Sequence, residues 1–342
     1  MKYLQKYILR LLIVVFLFFQ CSRKIVLNQQ LDKFFNKEDV TILVTDSGLG
    51  GLSVAADLTH RIPQSGVFKS ARVVFLNSLF HNKSGYNSLK TEQEKIRIFN
   101  TALEAMNKKY RPDMLLIACN TLSVIYDKTP FSEKAHFPVI GIVETGVDLI
   151  AKQFDKNPDA TAIIFATQTT IGSNSHKNRL ISRGYSETKI IGQACPELAG
   201  YIEQEYNGEM TIMLIAEYVF QALDKIENRN IPIFTSLNCT HYGYSMQQFI
   251  NAFAEAGCPR IEVIDPNPEM GNFLFKPKYL NRYSETKVNI KVVSKTKISQ
   301  EKRNSLCTLL KTISSQTAEA LKNYQYDPDL FDAKFDSTAV GL

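Results

Sequence analysis

Short apolar stretches alternate with longer amphipathic stretches along most of this chain, and this alternation limits its fold more than any other feature. Residues 40–44 and 114–118 have the length and continuous hydrophobicity of buried strands. Residues 91–108, between them, carry apolar side chains at helical spacing. Such strands are typical of parallel sheets that helices cover on both faces, so the sequence predicts an α/β fold. Further strands are predicted at residues 72–76, 138–143, 160–166 and 231–237, and a helix from about Ser53 that ends at residues 61–63.

Polar side chains follow several of these strands directly. Asp46, Cys119 and Cys239 each come just after a predicted strand, and a Thr-rich turn at 167–170 follows another. Ligands of open α/β sheets bind beyond the carboxyl ends of the strands. We therefore expect these residues to border a binding site.

Two of these strand ends resemble each other. The segment Leu116-Ile-Ala-Cys119-Asn-Thr121 and the segment Thr235-Ser-Leu-Asn-Cys239-Thr-His241 each place a cysteine and small polar neighbours after an apolar strand. They lie about one domain length apart along the chain. The pattern favours two similar three-layer α/β domains that face each other across a cleft.

The N-terminus has the pattern of an export signal. Three basic residues within the first ten precede a wholly apolar run at residues 11–19, which is too short to span a bilayer comfortably. Cys21 follows, as in a bacterial lipoprotein signal, although Gln20 stands where a small residue is usual. The alternative is a short uncleaved membrane anchor. Both interpretations place the remaining chain outside the cytosol, facing the periplasm, whereas a chain without a working signal would be cytoplasmic.

Charge and cysteine spacing narrow the possible partners. Three of the 40 basic residues lie in the first twenty, which leaves 37 against 34 acidic residues, a net charge of +3. No basic stripe with interleaved aromatic residues occurs, so we expect no nucleic-acid partner. No CxxC or HExxH motif occurs, so no metal site is expected. Lipidation of Cys21 would leave five cysteines, so at least one thiol must be free or intermolecular.

Cys119 and Cys239 suit one particular chemistry. Moving a proton from one face of a carbon to the other requires two opposed acid/base groups. A cysteine whose thiolate is stabilised by its surroundings can do this near neutral pH. From the residue type alone, each cysteine is more often a small buried apolar group.

Three motifs change this assessment. Asp46-Ser-Gly-Leu-Gly-Gly51-Leu-Ser, Ala118-Cys-Asn-Thr121 and Cys239-Thr-His-Tyr242 resemble the signatures of the glutamate racemase family, in the family's order and approximate spacing. The resemblance spans about residues 40–313. Weaker matches are Gly141-Ile-Val-Glu144, Ala166-Thr-Gln-Thr-Thr170 with Ser173, Ala194-Cys-Pro196 and Val263-Ile-Asp-Pro266.

The resemblance implies a cofactor-independent racemase with the substrate between two domains. It implies domain A at residues 40–142 and 262–315 and domain B at 143–261. Outside the resemblance, the sequence itself predicts a signal or anchor at 1–20, a flexible tether at 21–39 and a tail at 316–342. Cys119, assisted by Asp46, would deprotonate the D-isomer, and Cys239, assisted by His241, the L-isomer. The substrate-binding residues would be Ser47, Asn120, Thr121 and Thr240 for the ammonium and α-carboxylate, with Tyr86 and Asn87 beside the side-chain carboxylate.

Other interpretations remain open for single residues. Asp46 could simply cap the next helix, His241 could be an ordinary surface histidine, and Glu144 a charge between domains. The 48–51 turn lacks the Lys-Ser/Thr of a phosphate loop, so nucleotide binding is not expected. The chain departs from the family pattern with Asn77, Gly85-Tyr86-Asn87, Thr145, Asn238 and Gly243.

These departures leave the substrate open among glutamate, aspartate and a broader range. The rival function is an extracytoplasmic amino-acid-binding lipoprotein without catalysis. The family supplies D-glutamate for peptidoglycan and hence cell wall biogenesis, whereas an exported enzyme would serve D-amino-acid turnover. The sequence leaves a homodimer open.

Overall fold

The computed structural model describes residues 25–82, 84–227 and 231–333. The predicted leader and Cys21 lie outside these residues. Within these ranges, ten strands form two fully parallel sheets, which confirms the α/β fold. The strands are β1 Asp39–Asp46, β2 Ser70–Asn77, β3 Met114–Ile117, β4 Val139–Gly141, β5 Thr161–Ala166, β6 Ile190–Ala194, β7 Ile233–Asn238, β8 Glu262–Ile264, β9 Lys287–Ser294 and β10 Gln325–Tyr326.

Helices connect the strands and cover both sheets. The first helix, α1, spans residues 25–35. The others are α2 Leu52–Ser65, α3 Glu92–Tyr110, α4 Asn120–Tyr126, α5 Pro130–Lys134, α6 Ile142–Lys156, α7 Gln168–Gly172, α8 Ser175–Ser182, α9 Leu198–Gln204, α10 Glu209–Leu223, α11 Met246–Glu255, α12 Gln300–Ile313 and α13 Ser315–Lys322. Single 3-10 turns lie at Tyr86–Ser88, Glu187–Lys189, Tyr242–Ser245, Asn272–Phe275 and Pro277–Tyr279.

The larger sheet has the strand order β10-β9-β2-β1-β3-β4 and the smaller has β6-β5-β7-β8. Alternate residues of the central strand β1 face opposite sides: Ile42 and Val44 pack in one apolar cluster, and Leu43 packs in another. In the smaller sheet, Ile163 and Ile164 divide between two clusters in the same way. Each sheet therefore has a core on both faces, as its continuously apolar strands require.

The structure corrects three local predictions. Helix α2 continues through Pro63 to Ser65, because the buried Ile62 side chain and the hydrogen bond from Ser65 Oγ to the Ile62 carbonyl offset the hydrogen bond that proline removes. The strand expected at 138–143 ends at Gly141, and helix α6 begins at Ile142. The strands β6, β8, β9 and β10 were not predicted, and the first five residues of β9 alternate between exposed and half-buried rather than running continuously apolar.

The segment expected as a flexible tether is helical at residues 25–35 and packs against the larger sheet's domain. Phe34 and Phe35 are buried, Phe35 stacks on Tyr279, and both rings contact Phe68. Burial of two phenylalanine rings compensates the conformational entropy that an ordered segment loses. The expected tail also contributes structure, because α13 and β10 extend the larger sheet's domain.

Within the described ranges, no helix combines the length and the apolar character that crossing a membrane needs. The five described cysteines, Cys119, Cys195, Cys239, Cys258 and Cys307, are all free thiols.

Candidate active site

The carboxyl ends of both sheets border one cavity of about 830 Å³. Strands β1, β3, β5 and β7 end at Asp46, Ile117, Ala166 and Asn238, so the polar residues that follow them converge there. Cys119 and Cys239 both line the cavity, one from each sheet. All ten residues that the sequence predicted for the site also line it: Asp46, Ser47, Tyr86, Asn87, Cys119, Asn120, Thr121, Cys239, Thr240 and His241.

Cys119 lies between strand β3 and helix α4, and its Sγ is 3.1 Å from Ser47 Oγ. Burial raises the pKa of Cys119 well above its usual value, the negative charge of Asp46 raises it further, and the hydrogen bond with Ser47 opposes both. Burial and Asp46 therefore both favour the neutral thiol form of Cys119. A neutral thiol at this position can donate a proton into the cavity.

Asp46 is fully buried and accepts three short hydrogen bonds, besides a longer one of 3.5 Å from the Ser47 hydroxyl. Two come from the backbone N–H groups of Ser47 and Gly51, so the carboxylate fixes the turn that precedes α2. The third comes from the Thr240 hydroxyl at 2.7 Å. Asp46 accepts from the N–H of Gly51, the residue before α2, rather than from an N–H in the first turn of the helix, and it also contacts the residue beside Cys239.

The Cys239 side of the cavity is built differently. Cys239 Sγ lies 3.8 Å from His241 Nδ1, and His241 Nε2 lies 2.9 Å from a carboxylate oxygen of Glu203. The other oxygen of Glu203 accepts a hydrogen bond of 2.8 Å from Lys302 Nζ. The side chains of Lys302, Glu203, His241 and Cys239 therefore form one continuous series of contacts.

Electrostatics favour a positively charged imidazole at His241 in this series. Burial alone would lower the pKa of His241, but its hydrogen bonds to Cys239 and Glu203, and their charges, raise it well above its usual value. Burial alone would raise the pKa of Glu203, but His241 and then Lys302 lower it to about 2. The Nδ1–H of such an imidazolium faces the Cys239 sulfur.

The backbone N–H of Gly50 also lies 3.1 Å from His241 Nε2. That contact needs a lone pair on the nitrogen, whereas the contact with Glu203 needs a proton there. We assign a proton to Nε2, because a charge-assisted hydrogen bond to the buried Glu203 carboxylate is stronger than the longer contact with the Gly50 backbone.

Two predicted binding residues have polar atoms without partners among the described residues. Both the Oδ1 and the Nδ2 of Asn120 are buried and unbonded, and so is the hydroxyl of Tyr86. Burial raises the pKa of Tyr86 well above its usual value, and the nearby Cys119 contributes to this. Buried polar atoms rarely remain unpaired, so these groups suit a polar ligand in the cavity.

The remaining candidate substrate-binding residues differ in the contacts that they make with the protein. Ser47 contacts Cys119, and Thr240 donates to Asp46. The Thr121 hydroxyl lies 2.8 Å from that of Thr167, at the end of β5. Asn87 is exposed on the cavity wall.

Known proteins resemble this chain over most of its length. A glutamate racemase from Lysinibacillus sphaericus strain C3-41 is 31% identical over 210 residues, which are 60% of this chain and 70% of the relative. A glutamate racemase from Campylobacter jejuni is 32% identical over 203 residues, 58% of this chain and 72% of the relative. This chain belongs to the glutamate racemase family. It is accordingly an isomerase of the amino-acid racemase type. No family model matches the chain.

Solved glutamate racemases share the fold. The Campylobacter jejuni structure has a TM-score of 0.60 at 23% identity and covers 79% of this chain and 98% of its own. The Francisella tularensis structure, in complex with D-glutamate, has a TM-score of 0.61 at 22% identity and covers 81% of this chain and 95% of its own.

The departure from the glutamate racemase pattern at Asn238 has a structural explanation. Its side chain is buried and donates to Ser236 Oγ at 2.9 Å. Its Oδ1 packs beside Gly146, where a Cβ would lie only 2.4 Å from this oxygen. The absence of a side chain at residue 146 therefore makes room for the amide at residue 238.

The weaker family matches divide between the cavity and the surface. Glu144 pairs with Arg179 and Arg183 at the surface, as expected of a charge outside the site. Thr167 and Thr170 contact the Thr121 hydroxyl beside the cavity.

The sequence did not identify Glu203 or Lys302. Glu203 lies in α9, shortly after the Ala194-Cys-Pro196 match, and that proximity is its only sequence signal. Lys302 lies in α12, almost a hundred residues further along, and only the folded structure brings the two together.

Proposed function

We propose that this racemase interconverts L- and D-glutamate, without a cofactor, by proton transfer between Cys119 and Cys239. The observation that carries the proposal is that the two thiols line one cavity from two different sheets. A substrate between them would have one sulfur on each side of its α-carbon. Family membership supplies the reaction, and this arrangement supplies its two acid/base groups.

The two halves of the site suit opposite protonation states. His241 supports a thiolate at Cys239, while burial and Asp46 keep Cys119 protonated. With L-glutamate bound, the Cys239 thiolate takes the α-proton and becomes a thiol. The Cys119 thiol then delivers its proton to the opposite face, which gives D-glutamate and leaves a thiolate at Cys119. The reverse reaction begins from that state.

The proposed substrate contacts follow from the unpaired groups. Asn120, with Ser47, Thr121 and Thr240, would hold the ammonium and the α-carboxylate, since amides and hydroxyls supply both donors and acceptors. Tyr86, with Asn87, would contact the side-chain carboxylate. The substrate ammonium would also offset the cost of a Cys119 thiolate beside Asp46.

We also propose a two-domain division. Residues 40–142 form domain A and 143–261 form domain B, as the family resemblance suggests. Because β8 pairs with β7, we assign 262–264 to domain B and return to domain A from residue 265. Helix α1, α13 and β10 join domain A, so it also contains residues 25–39 and extends past residue 315.

The leader supports a proposed location. The apolar run at 11–19 followed by Cys21 favours a lipoprotein facing the periplasm, in which case the product would enter D-amino-acid turnover. A cytoplasmic enzyme would supply D-glutamate for peptidoglycan. Cell fractionation with Cys21→Ala distinguishes these, since only a lipoprotein loses membrane association on that change. Sedimentation of the purified protein tests the homodimer.

The function is tested by assaying L-to-D conversion of glutamate, aspartate and several other amino acids. We expect glutamate to turn over fastest, and Cys119→Ala and Cys239→Ala each to abolish conversion. Cys258→Ala, which changes a thiol outside the cavity, is the matched control and should retain full activity. Binding without conversion, and without α-proton exchange in deuterated buffer, would instead indicate an amino-acid-binding protein.

A further inference from the structure

Lys302 lies in the first turn of α12, in domain A, and its ammonium reaches into the cavity wall. Its Nζ donates to Glu203 Oε1 at 2.8 Å, and its side chain is 29% exposed. Glu203 belongs to α9, in domain B. The ion pair therefore crosses the cleft between the domains.

The Glu203 carboxylate is contacted by groups from both sides of the cleft. His241 of domain B contacts Oε2, and the backbone N–H of Leu49 in domain A donates to the same oxygen at 3.0 Å. Lys302 engages the other oxygen. A buried carboxylate needs such compensation, because removing one partner of a buried ion pair leaves an uncompensated charge.

Other hydrogen bonds near Cys239 also join the two domains across the cleft. Tyr244, in the turn after Cys239, donates to the carbonyl of Gly50 at 3.1 Å. Thr240 donates to Asp46. Among these cross-cleft contacts, Lys302 supplies the cationic side chain, so it acts on the charge of the Glu203–His241 unit as well as on its position.

We propose that Lys302 is a positioning residue. By pairing with Glu203 across the cleft, it holds the Glu203–His241 unit in place to support the Cys239 thiolate. This rests on the proposed function only in taking Cys239 as a base. Lys302 does not touch the reacting atoms. Its effect reaches Cys239 through Glu203 and His241, and opening the cleft would remove it.

Among the described residues, few other groups lie close enough to Cys239 to stabilise its thiolate. His241, Cys195 and Tyr242 interact with it electrostatically, and all three belong to domain B. Lys302 is the domain A cation that joins this set through Glu203. Its removal makes the surroundings of the Cys239 thiolate more negative and frees the Glu203 side chain to move.

The first test measures the thiolate directly. The rate of Cys239 alkylation by iodoacetamide is followed by mass spectrometry at pH 7 and at pH 10, in the full chain with Cys119→Ala. The rate at pH 7 divided by the rate at pH 10 reports the thiolate fraction at pH 7, because changes in accessibility affect both rates equally. We expect Lys302→Met to lower this ratio about three- to tenfold. Lys302→Arg should restore it, and Lys311→Met, an exposed charge change on the same helix, should leave it unaltered.

The second test uses turnover. In the chain with both thiols, Lys302→Met should lower kcat about tenfold with a much smaller change in KM, and Lys302→Arg should recover most of the loss. An unchanged alkylation ratio in Lys302→Met, or no rescue by arginine, would overturn the proposal while the racemase function stands. An inactive wild-type enzyme would overturn the proposed function, and the alkylation ratio would still decide the role of Lys302. If Lys302→Met does not fold, Lys302→Gln replaces it.

Discussion

The hydroxyl of Thr240 donates a 2.7 Å hydrogen bond to the buried carboxylate of Asp46. Thr240 follows Cys239, and Asp46 precedes Ser47, which contacts Cys119. The contact therefore links the neighbourhoods of the two thiols across the cleft. It also connects the two sheets, because Asp46 ends β1 and Thr240 follows β7.

Thr240→Val should destabilise the protein by about 1–3 kcal/mol, because valine fills the same space but leaves the Asp46 carboxylate one donor short. Denaturant unfolding measures the change. Thr308→Val, at an exposed site on α12, is the control and should alter the free energy of unfolding by less than about 0.5 kcal/mol. Equal stabilities for the two variants would show that the cross-cleft hydrogen bond contributes little.

Glu203→Gln should remove an acid-sensitive part of the stability. The pKa of Glu203 is lowered to about 2 by His241 and Lys302 against the effect of burial, so its stabilisation is complete above the unfolded pKa near 4.5. It is lost as the pH falls from about 4.5 to 2, and amounts to on the order of 2–3 kcal/mol. Unfolding free energies of wild type and variant over this range measure it. Parallel curves would contradict the assigned ion pair.

His176 should make the stability of the protein fall with acidification in a higher pH range than Glu203 does. Burial lowers the pKa of His176 to about 3, with Arg179 adding to the shift and Asn238 opposing it. The neutral form is therefore favoured on folding, and its stabilisation is lost as the pH falls below about 6.5. We expect His176→Gln to reduce the slope of stability against pH between about 6 and 4 by up to about 1.4 kcal/mol per pH unit. An unchanged slope would mean that His176 is protonated in the folded protein.

Helix α1 should contribute measurably to stability. Phe34 is 1% exposed and packs edge-to-face on Phe35 and Phe68, so Phe34→Ala should cost about 3–5 kcal/mol. Ile25→Ala on the same helix, where the side chain is 52% exposed, should change stability by less than about 0.5 kcal/mol. Thermal or denaturant unfolding compares them. Similar small effects in both variants would support the tether that the sequence suggested.

The sequence predicted the parts of the site that local chain properties determine. Apolar strands and the polar residues just after them are neighbours in the chain, so Asp46, Cys119 and Cys239 could each be placed at the carboxyl end of a strand. Glu203 and Lys302 lie within helices and reach the site only through tertiary packing, which no local pattern encodes.

The same reasoning explains the errors in the fold. Phe34 and Phe35 end a segment of mixed polar and apolar residues, and their burial depends on Phe68 and Tyr279, which are distant in sequence. Strand β9 has alternating exposure near the edge of its sheet, so it lacks the continuous apolar pattern of the central strands.

Isomer-specific proton exchange tests the two-thiol account most directly. Cys119→Ala and Cys239→Ala are incubated separately with L- and D-glutamate in deuterated buffer, and α-deuterium is measured by mass spectrometry. The account predicts that Cys119→Ala exchanges only L-glutamate and Cys239→Ala only D-glutamate, with neither producing the opposite isomer. Exchange of both isomers by one single-cysteine variant, or continued racemisation by either, would contradict it.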